Sequence, residues 1–194
     1  MKSNAKRKTM NEVREDRYPN GQIKTRFEIK DGLQDGLFES WYPNGQLAVR
    51  ANFKDDEANG LFERWHPKGQ IEYRCIYKNG REEGVCEGWN ENGTLQYRAN
   101  FKGGNLEGLS EEWYDNGQLQ YRINYKDDNK DGLCEEWYEN GRPKSRCNYK
   151  DGDLDGLIEG WYENGKLAYR ANYKDGEQVG LYESWSEDGC PRFQ

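Results

Sequence analysis

The phrase WYENG occurs at residues 137–141 and again at 161–165, and the near copy WYPNG occupies residues 41–45. These copies belong to a longer repeat, because tryptophan recurs every 24 residues from Trp41 to Trp185. Rows of glycine, glutamate and arginine keep the same spacing. A constant period of this length is typical of repeat architectures, in which every repeat builds one similar unit.

Each repeat contains two strand-length segments joined by a short turn. The segments, such as residues 37–42 and 46–53, are rich in aromatic and aliphatic residues and too interrupted by glycine to form helices. A polar stretch such as KDDEAN, residues 54–59, leads to the next repeat. The sequence therefore predicts an all-β fold, an elongated single-sheet antiparallel β-meander of 24-residue β-hairpin repeats. We expect the sheet to twist or curl, because one of its faces is apolar.

Proline decides the type of the tight turn. Pro43 has no N–H and could not complete the hydrogen-bonded pair that closes a two-residue turn. A three-residue turn is therefore favoured, with Gly45 in the left-handed position of a G1 bulge and Tyr42 facing Gln46. Regular alternation from this point predicts a core face and an opposite, polar face. The core face is expected to carry Leu37, Glu39, Trp41, Leu47, Val49, Ala51 and Phe53. The polar face is expected to carry Phe38, Ser40, Tyr42, Gln46, Ala48, Arg50 and Asn52.

The composition indicates an ordered, acidic protein. Seven Trp and fourteen Tyr are more aromatic side chains than a disordered chain carries. The net charge of −7 disfavours nucleic acid and anionic membranes as partners. Residues 1–12 are interpreted as a flexible basic N-terminal tail, and residues 13–194 as a continuous array of about seven and a half repeats. Without a signal-peptide core the chain is expected to be cytoplasmic, with its five cysteines as thiols in a reducing compartment.

The sequence contains no recognisable catalytic constellation. His66 is the only histidine, and a glutamate that recurs in every repeat is more typical of a structural role than of a single active site. The segment DDNKDG at 127–132 resembles the start of a calcium loop, but its twelfth position is Tyr138 rather than glutamate. We therefore expect no enzyme activity, no catalytic residue, no metal site and no cofactor. Regular alternation also predicts cross-strand pairs of Arg98 with Glu112 and of Glu63 with Tyr73.

Positions that vary between repeats are candidates for binding a partner. Two such rows start at Phe38 and at Ser40. Aromatic and arginine side chains are the usual anchors of protein interfaces, and they concentrate in the second and third repeats. The candidate partner-binding residues are Phe38, Tyr42, Phe62, Arg64, His66, Arg50 and Arg74.

The unit YPNGQLAVRANFKDDEANGLFERW, residues 42–65, resembles the MORN variant repeat, and the resemblance covers roughly residues 13–193. It implies an elongated β-hairpin array used for binding, and proteins built only of such repeats are commonly labelled as bacterial antitoxins or immunity proteins. The leading hypothesis is a non-catalytic protein-binding repeat protein, whose partner would be a toxin or effector that it occludes. The alternatives are a scaffold that self-associates through its sheet as a homo-oligomer and a lipid- or glycan-binding β-repeat module.

Overall fold

The computed structural model describes residues 10–192 and contains 17 strands and no helix in that range. The strands are β1 Asn11–Arg17, β2 Ile23–Lys30, β3 Leu33–Trp41, β4 Leu47–Lys54, β5 Glu57–Trp65, β6 Ile71–Lys78, β7 Arg81–Trp89, β8 Leu95–Lys102, β9 Asn105–Trp113, β10 Leu119–Lys126, β11 Asn129–Trp137, β12 Pro143–Lys150, β13 Asp153–Leu154, β14 Gly156–Trp161, β15 Leu167–Lys174, β16 Glu177–Trp185 and β17 Pro191–Arg192. Nothing in the described range is a helix long and apolar enough to span a membrane.

The chain forms two compact units, which divide between Glu83 and Gly84. In the first unit, β1 to β6 pair in sequence order, each strand antiparallel to the next. In the second unit, the part of β7 from Gly84 onward and strands β8 to β17 also pair antiparallel in sequence order, except that the short strands β13 and β14 both pair with β12. The prediction of an all-β antiparallel meander of hairpins is confirmed within both units. The first nine residues of the predicted tail lie outside the described range, and β1 begins at Asn11.

The tight turn of each repeat has the predicted form. The N–H of Gly45 donates to the carbonyl of Tyr42 at 2.9 Å, and the N–H of Tyr42 donates to the carbonyl of Gln46 at 2.8 Å. Gly45 has a φ of 85°, as the left-handed position of a G1 bulge requires. The three-residue turn and the facing of Tyr42 and Gln46 are therefore confirmed.

A second bulge follows the tight turn and changes the register. Trp41 pairs with Leu47, whereas Ser40 pairs with Val49, so the second strand contains one extra residue. The same shift recurs in the later hairpins, for example between Trp161 and Gly160. Because side chains alternate along a strand, one extra residue moves every following side chain to the other face. The predicted division into a core face and a polar face is therefore wrong.

Two surfaces result, and their compositions differ from the prediction. The aromatic face is defined by the rows of Phe38 and Ser40 on the first strand and of Val49, Ala51 and Phe53 on the second. The ladder face is defined by the rows of Leu37, Glu39 and Trp41 on the first strand and of Arg50 and Asn52 on the second. Each of these rows continues through the equivalent positions of the other repeats.

The buried core lies on the aromatic face. Ala51 has 0% of its surface exposed, and its cross-strand neighbour Phe38 packs edge-on against Phe53 with ring centroids 5.9 Å apart. In the next repeat, Phe62 contacts Tyr73 at 6.0 Å. The leucine row that was assigned to the core lies on the ladder face instead and is largely exposed, up to 84% at Leu181.

Glutamate and arginine alternate across the strands of the ladder face, each directly opposite the next. In the first unit this charge ladder consists of Glu15, Arg26, Glu39, Arg50, Glu63 and Arg74. In the second unit it consists of Glu87, Arg98, Glu111, Arg122, Glu135, Arg146, Glu159, Arg170 and Glu183. The predicted pairs of Arg98 with Glu112 and of Glu63 with Tyr73 are wrong for the same reason as the faces.

Three of the ladder carboxylates, those of Glu39, Glu63 and Glu111, are buried by their neighbours. Glu39 is 8% exposed and accepts hydrogen bonds from Nε and Nη2 of Arg50 at 3.1 and 2.9 Å. The tryptophan row covers the arginines from one side, as where the guanidinium of Arg122 lies 5.7 Å from the ring centroid of Trp137. A buried carboxylate is tolerated only when it is paired and hydrogen-bonded, and the ladder supplies both conditions.

The return turns contain two residues with positive φ. Asp55 and Asp56 have φ values of 52° and 68°, as in a type I′ turn, whose twist matches that of a hairpin. Successive repeats are also joined at the other end of the sheet, where the hydroxyl of Tyr42 donates to the carbonyl of Trp65 at 2.7 Å. Tyr114 and Trp137 make the equivalent hydrogen bond at 2.9 Å in the second unit.

The cysteines do not all fit the expectation. Cys134, Cys147 and Cys190 are free thiols, whereas Cys75 and Cys86 are disulfide-bonded. The expectation of thiols is therefore wrong at these two positions, and the cysteines give no support to a reducing compartment.

Replacing Arg122 by methionine is expected to lower the free energy of unfolding by about 1–3 kcal/mol, because Glu111 then loses its hydrogen-bond donor. Glu111 is 9% exposed and accepts from Arg122 Nε at 3.1 Å. Chemical denaturation measures the change. Arg14→Met is the matched control, since Arg14 forms an ion pair with Glu12 in which both side chains are exposed. An equal effect of the two substitutions would show that the ladder does not stabilise the sheet.

Stability is expected to fall as the pH drops below about 4.5. The hydrogen bond from Arg170 lowers the pKa of Glu183 from its ordinary value of 4.5, and Arg26 lowers that of Glu15 in the same way. Because these pKa values are lower in the folded state, the stabilisation is present above the unfolded pKa and is lost as the pH falls through the folded pKa. Urea denaturation between pH 7 and pH 3 would measure it, and Glu183→Gln should weaken the dependence. An unchanged pH dependence in that variant would contradict the assignment to Glu183.

Candidate functional site

The structure divides the predicted partner-binding residues between the two faces. Phe38 and Phe62 lie on the aromatic face as part of its ring layer, where Phe62 also contacts Tyr77 at 5.4 Å. Arg64 lies on the same face and pairs with Glu72 at 2.9 Å. Phe38, Phe62 and Arg64 therefore lie on one face, within the packed layer of the aromatic face.

Tyr42 and His66 occupy equivalent positions where the first strand of a hairpin enters its tight turn. The side chain of Tyr42 is half-buried and is held by its hydrogen bond to the carbonyl of Trp65. His66 is also half-buried, and its backbone closes the turn through the N–H of Gly69 at 2.8 Å. Both residues therefore support the turn end of the sheet.

Arg50 and Arg74 lie on the ladder face, paired with Glu39 and Glu63 at 2.9 Å each. They cannot share a surface with Phe38 and Phe62, because the second bulge places these rows on opposite faces. The seven residues therefore do not form one continuous surface, and the role of each in binding a partner stays a prediction.

The second unit contains a groove of about 680 Å³, which we call the Tyr169 groove. Most of its lining belongs to the aromatic face, whereas Trp161 and Trp185 belong to the tryptophan row and accept hydrogen bonds from Tyr138 and Tyr162 at their backbone carbonyls. It is lined by Glu136, Tyr138, Lys144, Ser145, Trp161, Tyr162, Ala168, Tyr169, Tyr182, Ser184, Trp185 and Arg192. These residues come from the hairpin β11–β12 and from β14 to β17, so three successive repeats contribute to one concave surface.

A glycine opposite a tyrosine creates the floor of the groove. Gly160 pairs directly with Tyr169, and a Cβ atom at Gly160 would lie 2.2 Å from Cε1 of the Tyr169 ring. The ring therefore occupies the space that any other residue at position 160 would fill. Gly88 and Tyr97 repeat the arrangement, with a corresponding distance of 2.1 Å.

Tyr169 and Tyr182 form the aromatic wall of the groove. Their rings are stacked, with centroids 6.2 Å apart and an interplanar angle of 11°. Burial raises the pKa of Tyr169, so this phenol stays neutral at physiological pH. Tyr182 is 41% exposed and presents its ring to solvent on an otherwise packed layer.

Charged groups lie at both ends of the groove. Glu136 forms an ion pair with Lys144 and accepts a hydrogen bond from the Ser145 hydroxyl at 3.2 Å. The hydrogen bond that Lys144 itself donates to Glu136 raises the pKa of Lys144, whose ammonium also lies 5.9 Å from the ring centroid of Tyr138. Arg192 stands at the far end, paired along the backbone with Ser184.

The lining combines aromatic, charged and hydroxyl side chains and contains neither histidine nor cysteine. No group of three or more His, Cys, Asp and Glu side chains within residues 10–192 is placed to hold a metal ion. The stacked rings of Tyr169 and Tyr182 offer apolar contact in the middle of the groove. The Glu136–Lys144 ion pair at one end and the guanidinium of Arg192 at the other offer charged groups.

Sequence reasoning missed this groove because it placed the tyrosine row on the wrong face. The sequence did contain a signal, since the two glycines of the Ser40 row, Gly88 and Gly160, each face a tyrosine of the Val49 row. A glycine can be explained there only if the two rows are directly opposite. The opposite charges of the glutamate and arginine rows indicate the same register.

Comparison with known proteins agrees with the repeat pattern. The sequence model of the MORN repeat variant family matches residues 34–55, 58–79, 82–102, 106–127, 130–151 and 154–175. These matches cover more than half of the 194 residues. No curated protein matches the chain. The chain belongs to the MORN repeat variant family.

Proposed function

We propose that this chain is a non-catalytic module that binds another protein through the variable positions of its aromatic face, with the Tyr169 groove as the main contact in the second unit. The observation that carries the proposal is the groove itself, where an exposed, stacked tyrosine lies between charged groups of both signs.

The variable positions support this choice of face. The rows of Phe38 and Ser40 change from repeat to repeat, and both lie on the aromatic face, opposite the rows of Ala51 and Val49. The ladder face repeats the same glutamate, arginine and tryptophan in almost every hairpin. A surface that differs along its length can distinguish one partner from others, whereas a uniform surface presents the same contact many times.

The side chains of the groove are suited to anchor a protein partner. Tyrosine and arginine are enriched among the residues that dominate binding energy, since they bury a large area and also offer a hydrogen-bonding group. Tyr182 and Arg192 combine these properties at one end of the groove. The Glu136–Lys144 pair at the other end would fix the orientation of a partner that carries complementary charges.

A narrower hypothesis concerns the identity of the partner. The resemblance to repeat arrays labelled as antitoxins or immunity proteins suggests a toxin or effector that the chain neutralises by occlusion. A groove of mixed charge is compatible with such a partner and with other proteins, so the general proposal does not depend on this narrower one.

Tyr182→Ala is expected to weaken binding of a partner isolated from the native host by about tenfold or more, as is usual for a buried aromatic anchor. Leu181→Ala is the matched control, because Leu181 is the adjacent residue, is 84% exposed and lies on the ladder face. Affinity is measured by titrating each variant with the purified partner. Equal affinities of Tyr182→Ala and the unchanged protein would exclude the Tyr169 groove, and a loss confined to Leu181→Ala would assign binding to the ladder face.

A second candidate function is self-association into a scaffold, which one observation favours. The ladder face of the second unit exposes a row of aliphatic side chains, among them Val85, Leu109, Leu157 and Leu181, with 39% to 84% of their surfaces accessible. Val85, Leu109 and Leu157 alternate with the asparagines opposite them, and apolar side chains exposed along one face often mark an interface.

For this second function, the mass in solution is expected to rise with protein concentration. Light scattering during size-exclusion chromatography measures it, and Leu109→Glu combined with Leu157→Glu should return the mass to that of a monomer, because charges are costly in an apolar interface. A monomer mass of the unchanged protein at every concentration would exclude the scaffold.

A further inference from the structure

Two free cysteines face each other across the hairpin β11–β12. Cys134 pairs directly with Cys147 in the register of the two strands. Both are buried, at 8% and 7% exposed, and neither is in a disulfide. No other repeat has cysteine at both of these positions, which elsewhere hold combinations such as Phe38 with Ala51.

The register places the two thiols within the range of a disulfide. Directly opposite residues of an antiparallel pair have Cα atoms about 4.5–5.5 Å apart, and disulfides bridge Cα distances of about 4.4–6.8 Å. The two side chains lie on the same face, because they are opposite each other. Bond formation therefore requires only side-chain rotation and no movement of the strands.

We propose that Cys134 and Cys147 are a redox-active dithiol, which closes reversibly to a cross-strand disulfide by exchange with low-molecular-weight disulfides such as oxidised glutathione. This modification site goes beyond the proposed binding function. It lies next to the Tyr169 groove, since Glu136, two residues after Cys134, and Ser145, two residues before Cys147, pair with each other on the same face and line the groove.

The surroundings of the pair favour Cys134 as the attacking group. A hydrogen bond with Cys147 lowers the pKa of Cys134 to about 7, and the ammonium of Lys130 adds to this effect. The same hydrogen bond and burial raise the pKa of Cys147. The ammonium of Lys130 lies 4.9 Å from the ring centroid of Tyr149, whose strand also carries Cys147. A thiolate rather than a thiol is the nucleophile in exchange reactions.

The exchange proceeds in two balanced steps. The Cys134 thiolate attacks one sulfur of the small disulfide, forms a mixed disulfide and releases one small thiolate. Cys147 then loses its proton and attacks the Cys134 sulfur, which forms the protein disulfide and releases the second small thiolate. The protein loses two electrons and two protons, and the small disulfide gains them to become two thiols.

The test uses a full-length variant in which only this pair remains. Cys75→Ala, Cys86→Ser and Cys190→Ser remove the other three cysteines, and the first two replacements are residues that equivalent slots contain, Ala51 and Ser110. The variant is equilibrated with buffers of defined glutathione ratio, alkylated and weighed by mass spectrometry. We expect loss of both alkylation sites and a linked peptide containing Cys134 and Cys147. The ratio of oxidised to reduced glutathione needed for half-oxidation should be at least about tenfold lower than in the urea-unfolded protein, because the folded hairpin holds the thiols together.

Two further proteins keep the test independent of that variant. Peptide mapping of the unmodified chain after the same treatment should show the same linked peptide. A variant lacking all five natural cysteines, with Ser110→Cys and Ile123→Cys, carries the equivalent pair one repeat earlier, where Ile123 and Ser110 are directly opposite. This pair should also close, as the register predicts. Glutathione adducts on one cysteine without ring closure, or unreacted thiols in the folded unmodified protein, would overturn the proposal.

Discussion

One extra residue after the tight turn, present in every hairpin up to β14–β15, decides how the surfaces of this protein are composed. In the hairpin β3–β4, Leu47 pairs with Trp41 but Val49 pairs with Ser40, and the later hairpins repeat this shift. The bulge brings the glutamate row opposite the arginine row and the row of Phe38 opposite the small residues at Ala51. Without it, the carboxylates of the ladder would not face arginine, since Glu39 would face Val49 and Glu63 would face Tyr73, and the arginines would lie on the other face.

The ladder face illustrates how a single-layer sheet can stabilise a surface that has no second layer to cover it. Glutamates inside each ladder, such as Glu111, lie between two arginines, and the tryptophan rings shield the guanidinium groups from one side. Burial of the carboxylates by these neighbours strengthens the ion pairs relative to fully exposed ones. The same contact is repeated in nearly every hairpin, so the stability of each unit is distributed along its length, as in other repeat proteins.

The aromatic face has a structural role, and the binding role that we propose for it falls where its residues differ between repeats. Where Ala51 is buried under Phe38 and Phe53, the face is a closed core. Where Gly160 lets Tyr169 lie against the strand, the rings are displaced and a groove forms between the flanking charges. The pair of Cys134 and Cys147 occupies the core positions of the hairpin at the end of this groove. A covalent change there would act directly on the strands that hold Glu136 and Lys144.

The amino-acid sequence by itself determined the period, the all-β hairpin architecture and the form of the tight turn, because proline fixes φ and removes a donor while glycine permits the positive φ that the turn requires. It did not reveal which rows share a face. The extra residue is marked by no proline or glycine, since Leu47 and Ala48 suit either register, and cross-strand pairing decides between them. The Tyr169 groove also required the tertiary structure, because its walls come from three repeats that meet only when the strands are paired in their final register.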